Sequence, residues 1–294
     1  MDYLVLCVLV ILNSSQFIFS SLYNRRQKNA DPYLCTLIIA VMVFLFYGVY
    51  SGFKFTFSTT TIIFGLLFGV AYCFGYIFQI RAIAVGSVSL TSLMLSYSLI
   101  IPILFGIIYY HDSVSVFFFI ALILLVIALC FVNYDKEDKQ KDISTRKNKK
   151  LWLFFALLAF LGNAMCVIFN TLHQKSEFSA QRFEFMTFAM CLVVIVNLTL
   201  TLINNAKNKT TLPSLKKGWW CAVILGLLNA GTNLCYMIIA ANNAIPVSLL
   251  NSFISVGSLL LTFILSRVIF KEKLKKLQLI GFFIGLISVL FFSI

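Results

Sequence analysis

The sequence predicts an all-α integral membrane protein whose ten transmembrane helices form two inverted five-helix repeats. Three observations carry that expectation. Ten continuously apolar runs fill most of the 294 residues, a short charged stretch divides them five and five, and the two sets repeat each other in sequence. The chain is 61% hydrophobic and only 11% charged, with a mean hydropathy of +0.98. A water-soluble globule needs more polar side chains than that to cover its surface. A hydrocarbon slab about 30 Å thick takes about 20 helical residues to cross, so ten crossings use roughly two-thirds of the chain and leave little for a soluble domain.

In order, the runs are Tyr3–Leu22, Tyr33–Gly52, Thr61–Ile80, Ser87–Tyr110, Val114–Asn133, Leu151–Thr171, Phe183–Ile203, Trp219–Ala240, Pro246–Ser266 and Leu277–Ser293. Only helices fit them. A barrel strand alternates polarity over about ten residues, whereas a continuously apolar run in lipid must satisfy every backbone N–H and C=O within itself. Met1-Asp2-Tyr3-Leu4 carries no basic leader and the run behind it is of span length, so the first run is expected to be a retained helix and not a signal peptide. Between the fifth and sixth runs, Tyr134 to Lys150 mixes both signs of charge and reads as a solvated, flexible cytoplasmic tether. The expected organisation is a first five-helix repeat over 1–133, the linker over 134–150 and a second repeat over 151–294.

The internal repeat is direct. Ile18-Phe19-Ser20-Ser21-Leu22-Tyr23-Asn24-Arg25 in the first run aligns with Ile168-Phe169-Asn170-Thr171-Leu172-His173-Gln174-Lys175 in the sixth, which sets Asn13 on Asn163. A second alignment sets Val88-Ser89-Leu90 on Val247-Ser248-Leu249, with Ser92 on Asn251 and Ser96 on Ser255. An odd number of spans per repeat makes the second copy enter the membrane from the opposite face. Of the 23 Lys and Arg residues, all but Lys54, Lys175 and Arg182 fall in the loops of one side. The positive-inside rule then puts the linker in the cytoplasm and both termini outside. The net charge of +13 therefore marks topology. No basic stripe alternates with stacking aromatics, and no nucleic-acid partner is expected.

Near the end of the ninth run stands Phe270-Lys271-Glu272-Lys273-Leu274, followed by Gln278-Leu279-Ile280-Gly281 and Gly285. This resembles the Gly-Glu-x-Leu, Gln-x-x-Gly, Gly signature that closes each half of EamA-type members of the drug/metabolite transporter (DMT) superfamily. Lys271 stands where that family usually has Gly. The copy after the fourth run, Asp112-Ser113-Val114-Ser115, is degenerate, with no Gln and with Ala121 in place of the Gly. The resemblance covers the whole chain and implies a secondary carrier of small metabolites with a pocket between its halves. Termini facing outward are similar to the rhamnose- and glucose-uptake branch.

A carrier needs polar groups near the bilayer midplane to replace a solute's water, and such groups are expensive unless they face a cavity or pair across helices. Helix one offers Asn13 and Gln16, helix three Tyr72, Tyr76 and Gln79, helix six Asn163 and Asn170, helix eight Asn229, Asn233 and Tyr236, and helix nine Asn251 and Ser255. Serine rows on helix four (Ser89, Ser92, Ser96) and helix nine (Ser248, Ser255, Ser258), with Gly65, Gly69, Gly226, Gly231 and Gly257, read as close-packing seams. The asparagines read as cavity lining, because an amide carries more unsatisfied polarity than a hydroxyl. The tyrosines read equally as lining or as interfacial anchors. The expected solute is an amino acid, a sugar or a similar neutral or zwitterionic metabolite, moved by alternating access. For proton coupling the candidates are Glu184 and His173, since the first helix reads Asn13-Ser14-Ser15-Gln16 and holds no carboxylate.

Three rival functions follow from other classes: a proton-coupled exporter of organic cations or drugs, a channel, and a membrane-embedded enzyme acting on lipid-linked substrates. An enzyme requires clustered Asp, Glu, His or Cys as base, nucleophile or metal ligand. Here the two histidines lie far apart, and the eight cysteines all sit in or beside apolar runs without a Cys-x-x-Cys, as small core residues do. No cofactor and no metal are expected. The expected partners are a small-molecule substrate and the lipid bilayer, with copy number open between monomer and dimer. High Phe, Ile, Lys and Asn content suggests an AT-rich, bacterial genome and a cell-membrane protein.

Overall fold

The starts of the second and third helices of this chain fall where the sequence supplies the group that a helix terminus lacks. The computed structural model describes residues 2–26, 31–56, 58–85, 91, 94–95, 97–112, 115–132, 143–208, 218–242, 244–270 and 276–292. They form α1 (Asp2–Arg26), α2 (Pro32–Tyr50), α3 (Thr59–Val85), α4 (Ile100–Tyr109), α5 (Val116–Val132), α6 (Ile143–Gln174), α7 (Arg182–Asn208), α8 (Trp219–Asn242), α9 (Val247–Phe270) and α10 (Lys276–Phe292), with a short 3-10 turn at Ser179–Gln181. No strand occurs among the described residues. Asp31 caps α2 by accepting from the Tyr33 amide at 2.9 Å, and Pro32 opens that helix where its missing N–H does no harm. Ser58 Oγ accepts from the Thr61 amide at 3.1 Å to start α3. Gly52 and Phe53 both take positive φ, 60° and 55°, and reverse the chain so that the Phe53 ring covers Gly48.

Seven of these helices, α1, α2, α3, α6, α7, α8 and α9, are long and apolar enough to cross a membrane. Helix α4 has 10 residues and α5 and α10 have 17 each. A straight 17-residue helix rises about 26 Å, the short end of a crossing. The observed bounds depart from the apolar runs in two places. Helix α6 starts at Ile143, inside the stretch read as a tether. Helix α3 runs on to Val85 and takes in Arg81, which the charge pattern assigns to a loop. The Arg81 guanidinium donates to the Tyr33 hydroxyl and lies over the rings of Tyr33, Phe78 and Phe155 at 5.1, 5.9 and 5.8 Å. A cation sheltered by three rings can end a span without leaving the helix. The row Ser89, Ser92 and Ser96, the motif residues 271–275 and linker residues 134–142 lie outside the described residues.

The two halves of the chain interleave. Helix α3 lies along α6, α1 along α8, α2 between α7 and α8, and α5 along α10, and each of these pairings joins the first half to the second. Glycines set the closest approaches, as small residues do where lipid gives helices no hydrophobic reason to associate. A Cβ on Gly69 would stand 2.9 Å from the Ala189 carbonyl oxygen of α7, and one on Gly226 3.1 Å from the Ile39 carbonyl oxygen of α2. The largest core cluster, around Tyr47, Phe68, Phe185 and Met190, fills the space between α2, α3, α7 and α8.

One cap is non-local. Asp112, beyond the end of α4, accepts from the Ser248 amide at 2.9 Å and so closes the N-terminus of α9. Lys175 lies over the Tyr110 ring at 5.5 Å. Burial pulls its ammonium pKa down and the Asp112 carboxylate offsets part of that shift. Replacing Asp112 with Ala removes a helix cap, which costs about 1 kcal/mol. The expected result is a thermal midpoint about 2–4 °C lower, measured by unfolding of the purified protein in detergent.

Candidate functional site

Between α1, α3, α6, α8 and α9, with edges from α2 and the α4 region, lies a cavity of about 150 Å³. Asn13 and Gln16 of α1, Tyr72 and Tyr76 of α3, Asn163 and Asn170 of α6, Asn229, Asn233 and Tyr236 of α8, and Asn251 and Ser255 of α9 all line it. They reach one space because each helix presents them at three- and four-residue spacing, on a single face. Among the described residues none that lines it is charged.

Asn229 is the hub of the polar wall. Its Oδ1 accepts from the Tyr72 hydroxyl at 3.1 Å and from Asn233 Nδ2 at 3.0 Å. Its Nδ2 donates to Gln16 Oε1 at 3.0 Å and to the Tyr76 hydroxyl. Tyr76 in turn donates to Gln16 Oε1 at 2.9 Å, and Gln16 Nε2 donates to Thr232 Oγ1 at 2.7 Å. The Tyr72 and Tyr76 rings stack, with centroids 4.4 Å apart. Both tyrosines face the cavity. Both ends of the Asn229 and Gln16 amides and both tyrosine hydroxyls have partners within this network, which holds the wall in one arrangement.

Two further amides tie helices together at the rim. Asn13 Nδ2 donates to Ser258 Oγ at 3.0 Å, joining α1 to α9, and Asn163 Nδ2 donates to Ser98 Oγ at 2.7 Å, joining α6 to the residue two before α4. At another edge the Tyr236 hydroxyl stands 2.7 Å from Thr171 Oγ1 and donates to Asn251 Oδ1 at 3.4 Å. Sequence reasoning missed Thr232, Ser98 and Thr171. Thr232 was findable, since it shares a helical face with Asn229 and Tyr236; Ser98 and Thr171 carried no signal beyond that of any packing hydroxyl. The apolar wall, Leu9, Phe17, Phe68, Leu95, Leu99, Leu225 and Ile254, was equally hidden among hydrophobic neighbours.

His173 and Glu184 do not line the cavity. His173 is fully buried and stacked on Phe185 with ring centroids 4.3 Å apart. The Gln174 amide lies 2.9 Å from His173 Nδ1. On the other side of the ring Nε2 lies 3.2 Å from Thr61 Oγ1, which donates onward to Gln181 Oε1 at 2.6 Å. Glu184 keeps Oε2 buried and without a hydrogen bond. Among the described residues no group of three His, Cys, Asp or Glu side chains could hold a metal ion, and the cysteines are free thiols.

Residues 19–294 match the model of a family described as sugar transport protein. No curated protein matches. A solved structure described only as a crystal structure of a protein is similar in fold, with a TM-score of 0.69 at 11% identity, covering 97% of this chain and 98% of that one. At that identity the likeness speaks for the fold alone. With nearly its whole length matched, the chain belongs to the sugar transport protein family of multi-pass membrane transporters.

Proposed function

We propose that this protein is a secondary transporter that moves a single monosaccharide-sized sugar across the bacterial cell membrane, alternating access between two inverted five-helix repeats of the DMT kind. The observation that carries the reading is the uncharged cavity of amides and stacked tyrosines at the junction of the two halves. Amides offer a polyol both donors and acceptors, and aromatic faces suit the C–H faces of a sugar ring. An organic cation would want a carboxylate, and among the described residues none lines the cavity. Size argues in the same direction. A cavity of about 150 Å³ is on the scale that holds one small ring, which favours a single pyranose or furanose over a longer saccharide.

Repeat symmetry supports the mechanism. The α1 lining residues Asn13, Gln16, Phe17 and Ser20 fall, in the internal alignment, on the α6 lining residues Asn163, Cys166, Val167 and Asn170. Phe68, Tyr72, Gly75, Tyr76 and Gln79 of α3 fall in constant register on Leu225, Asn229, Thr232, Asn233 and Tyr236 of α8, all lining. The main helix pairings are also kept when the halves are exchanged: α1 with α8 becomes α6 with α3, α2 with α8 becomes α7 with α3, and α2 with α7 maps onto itself. A wall built from equivalent positions of two opposed copies can be exposed to either side by rocking one copy against the other. The one-sided distribution of Lys and Arg puts the termini outside.

The test is counterflow in proteoliposomes. Vesicles preloaded with glucose, galactose or ribose should accumulate the labelled sugar transiently and saturably, and Asn163→Ala should lower the initial rate about tenfold at unchanged protein level. Uptake that never saturates would identify a channel, and counterflow of amino acids but no sugar would overturn the substrate class.

A further inference from the structure

We propose that Thr171 and Tyr236 form a gate that closes the cavity on the side of the membrane where the N-terminus lies, and that Ser21 and Gln79 form its counterpart on the other side. A switch of access opens the first pair and closes the second. This rests on the alternating-access reading above and gives it a moving part.

The direction of each helix fixes which end of the cavity each pair occupies. Asn242, which ends α8, donates to Asp2 at the start of α1 at 3.1 Å, and His173 near the end of α6 meets Thr61 near the start of α3 at 3.2 Å. Helices α6 and α8 therefore finish at the end of the bundle that carries the N-terminus. Helix α1 finishes at the far end, where Arg26 lies over the ring of Trp220, in the first turn of α8, at 5.0 Å. At the N-terminal end the Tyr236 hydroxyl is held between Thr171 Oγ1 at 2.7 Å and Asn251 Oδ1 at 3.4 Å, which joins α6, α8 and α9. Among the described residues no hydrogen bond joins Ser21 to Gln79. The cavity is lopsided in the same sense. Toward the far end it reaches Cys35 and Ile39, in the first turns of α2, and Ile80 of α3. No described residue of α7, the counterpart of α2, lines it, nor does Met237, the counterpart of Ile80.

The internal alignment sets Ser21 on Thr171, and the register of α3 with α8 sets Gln79 on Tyr236. Both positions are polar in both copies, within helices where a polar side chain is expensive. Helix α1 packs against α3 as α6 packs against α8, so each pair sits on neighbouring helices of one repeat. The two copies thus stand in different conformations, the second latched and the first not. Exchanging those conformations between inverted copies moves the opening to the other face. Opening the latch is also cheap. Thr171 Oγ1 donates to the Val167 carbonyl oxygen and Asn251 Nδ2 to the Val247 carbonyl oxygen, both at 2.8 Å, and these bonds within single helices survive it. Only the Tyr236 hydroxyl and Asn251 Oδ1 lose a partner, into a passage that water then fills.

Thr171 and Ser21 are buried and do not line the cavity, so their variants test the gate and leave the wall intact. Cys166 is a free thiol that does line it and reports access. The experiment adds a membrane-impermeant methanethiosulfonate to either face of proteoliposomes holding the full-length protein, with an N-terminal tag to mark the sides, and follows Cys166 by peptide mass spectrometry. From the N-terminal side, Thr171→Val should label Cys166 about three- to tenfold faster than wild type, the population shift that the loss of one hydrogen bond gives. Ser21→Ala should slow the same labelling by a similar factor, and from the opposite side both effects should reverse. Either variant decides the sign by itself. Rates unchanged in both variants, or shifted in the same direction, overturn the gate while saturable sugar counterflow still stands. Cys166 labelled from both sides at one equal rate in every variant, with uptake that never saturates, identifies an open pore and overturns the carrier reading with it.

Discussion

Replacing Gly162 with Ala should lower the thermal midpoint of the purified protein by about 5–10 °C, and replacing it with Leu should leave no monodisperse protein. The α3–α6 crossing is the reason. A Cβ at Gly162 would be driven against the Gly75 amide nitrogen, 2.7 Å from the Gly75 Cα and 2.9 Å from the Ala71 carbonyl oxygen. All three are backbone atoms, so no rotamer change can make room, and the helices must part. Overpacking of this kind costs about 1–3 kcal/mol and sometimes more, and each kcal/mol moves the midpoint of a chain this size by about 2–4 °C. The partner glycine provides the control. A Cβ at Gly75 meets Gly162 and Asn163 backbone no closer than 3.4 Å, an ordinary contact, so Gly75→Ala should shift the midpoint by less than about 2 °C. Equal midpoints for the two alanine variants would contradict the geometry. Function should follow the clash as well, because Gly162 precedes Asn163, whose bond to Ser98 ties α6 to the rim of the cavity.

The helices were legible in the sequence because continuous apolarity in lipid leaves the backbone no other solution. The interleaving was not. Every helix facing lipid is apolar over most of its surface, so hydropathy does not tell which face meets which neighbour; contacts such as Gly162 on Gly75 and Gly226 on Met42 are set by small residues that occur on many faces. Arg81 shows a related failure. Charge alone assigns it to a loop, but three aromatic rings from α2, α3 and α6 hold it inside the helix, and two of those rings are distant in sequence.

The polar wall was more readable than the fold that builds it. Asparagine, glutamine and tyrosine at helical spacing in α1, α3, α6, α8 and α9 pointed to one space, and the cavity contains them. What spacing could not distinguish is the state of each amide. Asn229 with four partners and Asn170 with an unpaired oxygen have the same residue type and the same kind of periodicity; the difference lies in neighbours from other helices. His173 illustrates the opposite error. At the end of a span it reads as a group free to titrate, whereas the fold buries it and uses both ring nitrogens in a chain from Gln174 through Thr61 to Gln181.

Substitution of the hub separates shape from hydrogen bonding. Asn229→Ala should reduce sugar counterflow by at least about thirtyfold with the protein still folded and present at normal levels. The loss removes one partner from Gln16, strips Tyr72 of its bond to α8 and takes one of two partners from Tyr76, and each buried polar group left short costs about 1–3 kcal/mol. Asn229→Asp is the sharper probe. Aspartate is nearly isosteric and keeps the oxygen that accepts from Tyr72 and Asn233, at 3.1 and 3.0 Å. At the other terminus it replaces a donor by an oxygen that faces Gln16 Oε1 at the 3.0 Å of the former hydrogen bond, acceptor against acceptor. If the wall works through directed hydrogen bonds, Asp should be at least as damaging as Ala despite its better fit. If Asn229 merely fills space, Asp should transport like wild type and Ala should not, and the network would then carry no part of recognition. Measuring both variants by the same counterflow rate, normalised to reconstituted protein, decides between those outcomes because their order, not only their size, is reversed.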